Sequence, residues 1–202
     1  MKIEFTKCDL NNDYFHFTKM ENVPSILENG LIPKIGIASK MVNDRANVSI
    51  SKGGKGILGI INSFVYKFSN LKINEIPLEY RHYFEDIDDF NSNEKVGMKS
   101  SSYAMKNKLS EEVYLRLIVD DNIIQNARIG GLTGFDINLE DKIDKSCISI
   151  ITDESGIILS AYDVILKIYE KIKDNNIFRE MNESLFYMIE ECEKNLNIER
   201  KI

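Results

Sequence analysis

Alternation of apolar and polar side chains, which is typical of strands with one buried face, recurs along the chain. Residues 47–51 and 113–119 show it clearly, and residues 3–5 show a shorter version that indicates an edge strand. Residues 14–18 form an apolar, aromatic run that indicates a buried strand, and residues 147–151 indicate a further one. These segments predict the β-sheet part of the fold.

Apolar residues spaced three and four positions apart predict the helices. This spacing begins at Val23 in a short segment that Gly30 terminates, because glycine favours the backbone conformation that ends a helix. It returns in residues 57–68, after Ser160 and in residues 179–196. Strands and helices together predict an α+β fold.

The length of 202 residues suits one domain. We therefore predict a single domain over residues 1–202, with a body at residues 1–158 and a C-terminal helical cap at residues 159–202. Ser160 and Asp163 match a variant of the capping box, which marks the start of the first cap helix. The apolar faces of the cap helices indicate core packing or a dimer surface.

Residues 70–108 show the weakest pattern in the chain. Within them, Ser100–Tyr103 is polar and predicts a loop, and an acidic run at residues 85–89 indicates an exposed face. Two glycine-rich segments, residues 52–56 and 130–134, predict turns. The spacing in residues 52–56 does not fit a Walker loop, and the alternative to a turn is a backbone nest for a pyrophosphate.

Composition narrows the possible partners. The net charge of −6 argues against a broad electrostatic grip on nucleic acid, which requires clustered Lys and Arg. The three cysteines lack a CxxC pair, which disfavours a disulfide framework or a zinc site and fits a reducing compartment. No apolar run approaches the roughly 18 residues of a membrane span, and the first residues lack the apolar region of a signal peptide. We therefore expect a cytoplasmic protein with no membrane partner.

His16 stands in the predicted aromatic strand, shortly before a loop and a helix. In a buried apolar run, a histidine most often serves the fold through a hydrogen bond to the backbone. Near the end of a strand, the ring can also point into a cleft, where neutral imidazole both donates to and accepts from a ligand hydroxyl. The residues alone leave both interpretations open.

The residues around His16 follow a longer pattern. It consists of Tyr14-x-His16-Phe17-Thr18, then Glu21-Asn22-Val23-Pro24-Ser25-Ile26-Leu27 and, two positions later, Gly30-Leu31. This opening resembles that of ADP-ribosyltransferase-fold proteins, most of all the branch that includes DarT-type DNA ADP-ribosyltransferases and RNA 2′-phosphotransferases. Outside this segment, only the order of the elements is similar. The resemblance implies an α+β fold in which two small packed β-sheets surround an NAD cleft, with flanking helices and a C-terminal helical segment.

The resemblance also implies NAD-binding roles for individual residues. His16 is expected to bind a ribose hydroxyl of NAD, the Phe17 backbone to hold the nicotinamide amide, and Thr18 to complete this motif. Ser51 is expected to form part of the cleft wall, and Tyr66 to stack on nicotinamide. From its place on a helix face alone, Tyr66 is a core aromatic.

The start of the strand at residues 113–119 is the second informative position. By their place alone, Glu111 and Glu112 are surface charges at a strand end. In the resembled family, however, the catalytic glutamate begins a late strand, and Glu112 matches it. Ser110 stands where toxin-like members carry the Glu or Gln that receives the acceptor, which speaks against arginine as acceptor. Residues 95–108, with four lysines, would form the substrate-facing loop.

These expectations describe an NAD-dependent mono-ADP-ribosyltransferase, or an NAD glycohydrolase, in which Glu112 stabilises an oxocarbenium-like transition state and no metal is required. The acceptor stays open between protein, nucleic acid, small molecule and water. One alternative is an RNA 2′-phosphotransferase-like enzyme, which ranks lower because the matching Arg and His set is missing. The other is a non-catalytic nucleotide-binding or interaction domain of the same fold.

Overall fold

A computed structural model of the chain describes residues 1–36, 45–84, 93–130 and 136–199. The acidic run at residues 85–89, predicted to be exposed, lies outside the described residues. Most of the glycine-rich turn predicted at residues 130–134 also lies outside them.

The seven strands of the described residues form one mixed sheet. They are β1 (Lys2–Glu4), β2 (Tyr14–Lys19), β3 (Val48–Lys52), β4 (Glu112–Leu117), β5 (Arg128–Gly130), β6 (Asp136–Leu139) and β7 (Ile148–Thr152). Their order across the sheet is β1-β7-β4-β2-β3-β6-β5, with β1 at one edge as predicted. Each predicted strand overlaps an observed one. The expectation of two small packed sheets is corrected, because β2 and β3 stay paired and join all the strands into one sheet.

The joint between β2 and β3 is short. β2 pairs with β4 along all six of its residues, whereas its pairing with β3 comprises Tyr14↔Lys52 and Phe15↔Ser51. The first part of β3, residues 48–50, pairs with β6 on its other side. Beyond Phe15 the sheet therefore opens between residues 16–19 of β2 and residues 48–50 of β3. We call this opening the notch.

Helices make up much of the rest of the described chain. They are α1 (Val23–Asn29), α2 (Gly53–Ser69), α3 (Leu78–Arg81), α4 (Met98–Glu111), α5 (Asp121–Gln125), α6 (Ala161–Ile172), α7 (Asn176–Met181) and α8 (Glu183–Glu199). The predicted capping box at the start of α6 is confirmed: the Ser160 hydroxyl accepts from the Asp163 N–H at 3.1 Å, and the Asp163 carboxylate accepts from the Ser160 N–H at 3.1 Å.

The chain divides into two compact units, residues 1–60 with 110–165 and residues 61–109 with 166–202. The first unit contains all seven strands of the described residues. The prediction of one domain, with a body at residues 1–158 and a C-terminal cap, stays a prediction. The units have other boundaries, because residues 61–109 group with the C-terminal helices.

One face of the sheet carries the main apolar cluster of the first unit. It includes Leu115 and Leu117 of β4 and Ile50 of β3, each at most 2% exposed, and Val23 of α1 packs on it. Burying one such side chain stabilises the fold by roughly 1.5–3 kcal/mol. The alternation that predicted the strands is therefore the pattern of this buried face.

The second unit has a core of its own. The Phe68 ring lies 5.4 Å from the Tyr80 ring and 6.2 Å from the Phe84 ring, measured between centroids. The Lys108 ammonium lies 4.1 Å from the Tyr80 ring centroid, so its charge rests on the aromatic face while its stem is buried. This core accounts for the helical elements within residues 70–84 and 93–108, where the sequence pattern is weak.

The loop predicted at Ser100–Tyr103 is wrong, and so is the substrate-facing loop expected over residues 95–108, because most of that segment belongs to α4. Two of the serines that suggested a loop, Ser101 and Ser102, are buried and hydrogen-bonded. The Ser101 hydroxyl donates to the Val65 carbonyl at 2.6 Å, and the Ser102 hydroxyl donates to the carbonyl one helical turn earlier at 2.7 Å. Serines that are hydrogen-bonded within or between helices therefore give a helix the polar composition that is typical of a loop.

Gly30 ends α1, as predicted, and its replacement provides a test of the fold. Its φ is +79°, and a Cβ there would lie 2.4 Å from the Ile143 carbonyl oxygen. We expect Gly30→Ala to lower the free energy of unfolding by about 1–3 kcal/mol, because it adds backbone strain and a collision with backbone. The matched control is Gly59→Ala, inside α2 with open space around the added Cβ, which we expect to raise it by about 0.5–1 kcal/mol. Urea denaturation measures both, and equal effects would contradict the geometry.

Candidate functional site

His16 links the two sides of the notch. Its Nδ1 lies 2.8 Å from the carbonyl oxygen of Ser49 on β3. Since a carbonyl only accepts, Nδ1–H is the donor, and the neutral ring then carries its lone pair on Nε2. The half-buried His16 side chain therefore joins β2 to β3 beyond their last paired residues, and its other nitrogen is an acceptor.

The hydrogen-bond pattern of the joint shows which backbone groups face the notch. The Gly53 N–H donates to the Asp13 carbonyl at 2.8 Å. In an antiparallel pair, mutually bonded positions recur every second residue, so Phe15 and Ser51 form the next one. By the same alternation, the N–H and C=O of Phe17 point toward the β3 side and thus into the notch. This is the backbone that the resemblance assigns to the nicotinamide amide.

Glu112 begins β4, as predicted, and lies opposite Lys19 of β2. Its side chain is 5% exposed, whereas Glu111 at the end of α4 is exposed. The interpretation of both as surface charges is therefore right for Glu111 and wrong for Glu112. Burying a carboxylate is costly unless surrounding groups stabilise it. The burial of Glu112 therefore marks it as a candidate functional residue.

Tyr114 shares a face of the sheet with Glu112 and Phe17, because opposed residues of an antiparallel pair lie on one face. The rings of Tyr114 and Phe17 lie 5.2 Å apart between centroids. Burial raises the pKa of Tyr114, and the charges of Glu112 and Asp136 raise it further. The phenol thus stays protonated near neutral pH and lies within electrostatic range of two carboxylates.

Asp136 reaches this face from β6. The Ser49 hydroxyl donates to the Asp136 carboxylate at 3.3 Å, while the Ser49 carbonyl accepts from His16. Asp136 is two residues from Asn138, the partner of Ser49 in the sheet, so it lies on the face of Ser49. Ser49 therefore positions both a histidine and a carboxylate.

His16 and Glu112 lie apart rather than side by side. His16 is opposite Leu115 of β4, three positions from Glu112, and strand alternation directs the two side chains to opposite faces. Three residues of strand span roughly 10 Å. The two groups therefore do not form a proton-transfer pair.

Thr18 and Ser51, the other predicted binding residues of the first unit, both have structural contacts. The Thr18 hydroxyl accepts from the Asn22 amide at 3.3 Å, which ties β2 to the start of the α1 segment. The Ser51 hydroxyl donates to the Phe15 carbonyl at 3.4 Å, within the short joint. Both side chains are buried.

Ser110 and Tyr66 lie elsewhere. Ser110 is exposed near the end of α4. Tyr66 belongs to the second unit and is 61% exposed on α2, so its interpretation as a core aromatic is wrong. Its stacking on nicotinamide, and the acceptor-side place of Ser110, stay predictions.

Sequence reasoning missed two further residues of the candidate site, Tyr114 and Asp136. Tyr114 is detectable in principle, since it is two positions from Glu112 in a predicted strand and therefore on its face. Asp136 has no such signal, because its place depends on the pairing of β6 with β3.

The glycine-rich segment, predicted to be a turn between a strand and a helix, is the direct junction of the two: Lys52 ends β3 and Gly53 begins α2. The Gly53 N–H is bonded to Asp13, and the Gly54 N–H donates to the Leu10 carbonyl at 2.8 Å. Gly53 has φ +65°, and a Cβ there would lie 2.6 Å from the Leu10 carbonyl oxygen. The first two amides of α2 therefore donate to the loop that precedes β2, which corrects the alternative of a pyrophosphate nest.

Two searches of the described residues bear on the class of protein. Over that part of the chain, no helix combines the length and apolar character needed to span a membrane. The same residues contain no group of three or more His, Cys, Asp or Glu side chains that could hold a metal ion.

Comparison with protein-family models, with curated proteins and with solved structures finds no match to this chain. The function is therefore argued from the residues and geometry of the notch.

The half-buried imidazole of His16 makes stability depend on pH. Burial lowers the pKa of His16 below its ordinary value of 6.5, against the opposing effect of the Ser49 hydrogen bond. The unfolded chain thus binds a proton at higher pH than the folded chain does. As pH falls from 6.5 toward the lowered value, the free energy of unfolding falls, by at most about 1.4 kcal/mol per pH unit.

We expect His16→Gln to show a smaller loss of stability between about pH 7.5 and about pH 5.5 than the natural protein does. Urea denaturation at the two pH values measures the difference. His82 is present in both proteins, so its contribution cancels in the comparison. Identical pH dependence in both would contradict the burial of a neutral His16.

Proposed function

We propose that this protein is an NAD-dependent mono-ADP-ribosyltransferase, which also hydrolyses NAD when water is the acceptor. The observation that carries the proposal is a buried glutamate, Glu112, at the start of a strand next to a notch that His16 bridges. The resemblance of residues 14–31 to the opening motif of ADP-ribosyltransferase-fold proteins supports it independently. We further propose that it acts in the cytoplasm, since the cysteine pattern fits a reducing compartment.

The tautomer of His16 supports the binding of a ribose. With Nδ1–H committed to the Ser49 carbonyl, Nε2 accepts a hydrogen bond from a ligand hydroxyl. The N–H and C=O of Phe17 point toward the same opening, and a primary amide such as that of nicotinamide carries a complementary acceptor and donor. The separation of roughly 10 Å between His16 and Glu112 along the strands suits the two ends of a dinucleotide segment.

Glu112 supports the chemistry. Breaking the bond between nicotinamide and ribose builds positive charge on the ribose, as in glycoside cleavage. Nicotinamide leaves as a neutral molecule from a cationic ring, so it needs no acid. A buried carboxylate that accepts from the ribose 2′-hydroxyl stabilises this charge more in the transition state than in the ground state.

The charges around the notch favour this chemistry over phosphate transfer. A 2′-phosphotransferase needs cations around a phosphate, whereas Glu112 and Asp136 lie on the notch face. Arg116 is engaged by Asp13 in an ion pair of 2.8 Å, and Arg128 pairs with Glu140 at 3.2 Å. The non-catalytic binding domain is an outcome of the experiment that follows.

Release of nicotinamide from NAD by the purified protein tests the proposal. We expect Glu112→Gln to lower the rate by about 100-fold or more, because it removes the negative charge at the developing cation. The matched control is Glu111→Gln, an exposed neighbour at the end of the preceding helix, which we expect to retain the rate. His16→Ala is expected to weaken NAD binding, measured by calorimetry.

The outcomes separate the candidate functions. NAD binding without release in any acceptor mixture would favour the non-catalytic domain. Neither binding nor release, in a folded protein, would refute the NAD proposal. Equal loss in the Glu111 and Glu112 variants would show that the effect is structural.

A further inference from the structure

Acceptor activation is the step that Glu112 does not explain. A glutamate held at the ribose stabilises positive charge, but a hydroxyl or water acceptor must also lose a proton as it attacks. In toxin-like members of the resembled family, this side of the site carries a Glu or Gln two residues before the catalytic glutamate. Here the position is Ser110, whose hydroxyl is no base at neutral pH.

We infer that Asp136 is the base on the acceptor side, which receives the proton of a hydroxyl or water acceptor. This inference rests on the proposed function. Asp136 is a half-buried carboxylate that the Ser49 hydroxyl holds at 3.3 Å. Because Ser49 also holds His16 through its carbonyl, Asp136 is fixed to the same strand segment that borders the notch.

The shared face supports this assignment. Sheet pairing puts Asp136, Ser49, Phe17 and Tyr114 on one face, together with Glu112. Burial raises the pKa of the Tyr114 phenol, and the charges of Glu112 and Asp136 raise it further. They come from different strands, β4 and β6, which gives two carboxylates with separate surroundings and therefore separate roles.

In the proposed step, the bond between C1′ of the ribose and the nicotinamide nitrogen breaks. Its electron pair goes to that nitrogen, which gives neutral nicotinamide. The acceptor oxygen forms a bond to C1′ with a lone pair. Its proton goes to the carboxylate of Asp136. With water as acceptor, the products are ADP-ribose, nicotinamide and a proton released later to solvent.

Azide provides the test, because it is an anion that attacks without losing a proton. We expect Asp136→Asn to lower nicotinamide release in water by about 100-fold, with NAD binding retained. Added azide should restore most of the rate and yield ADP-ribosyl azide. Glu112→Gln should gain no such restoration, since its defect lies in bond cleavage.

Two further variants serve as controls. Asp141→Asn changes an exposed carboxylate of the same unit and should keep the rate in water. Ser49→Ala keeps the Asp136 carboxylate but removes the hydroxyl that holds it, so a smaller loss, also restored by azide, is expected. Thermal denaturation shows whether Asp136→Asn is folded. If it is not, Ser49→Ala tests the inference instead.

The failures are distinguishable. If the natural protein releases nicotinamide and Asp136→Asn does so equally fast in water, the inference is wrong and the proposed function stands. If Asp136→Asn is slow and azide does not restore it, Asp136 is structural and the inference is again wrong. If the natural protein releases no nicotinamide with either water or azide, the proposed function itself fails, and the inference with it.

Discussion

The short joint between β2 and β3 is the constraint on which the site depends. Two residue pairs hold these strands together, after which each continues with a different neighbour. A sheet that parts in this way exposes backbone groups that would otherwise be paired, and such groups need partners. The His16 side chain supplies one by donating to Ser49 where a backbone amide would stand in a continued ladder. The opening is thus stabilised by a side chain.

Ser49 connects the elements of the proposed chemistry. Its carbonyl sets the tautomer of His16, and its hydroxyl orients Asp136. One residue with two polar groups therefore contacts both His16 and Asp136. Hydroxyl and carbonyl lie on the same short segment of β3, so a shift of that strand would move both. This coupling makes the position of β3 a determinant of the whole site.

The other face of the same strands explains how such an opening is tolerated. Leu115, Leu117 and Ile50 pack in an apolar cluster that α1 covers, and this cluster holds β2, β3 and β4 together where hydrogen bonds between β2 and β3 end. The glycines at positions 30 and 53 allow close backbone approaches at the borders of this region. Glu112, Tyr114 and Asp136 lie on the face away from this cluster, whereas His16 lies on the cluster face, opposite Leu115.

The sequence by itself determined the local elements, because spacing and end signals act within a few residues. The strands at His16 and Glu112, the helix that Gly30 ends and the capping box at Ser160 were all predictable for this reason. The predictions failed where polar side chains are hydrogen-bonded to backbone carbonyls, Ser101 to a neighbouring helix and Ser102 to its own, and where the aromatic Tyr66 is exposed. Only the tertiary structure decided which strands are neighbours, that the sheet opens beside His16, and that Asp136 joins the face of Glu112. These depend on pairing between distant segments, for which a single sequence carries no local signal.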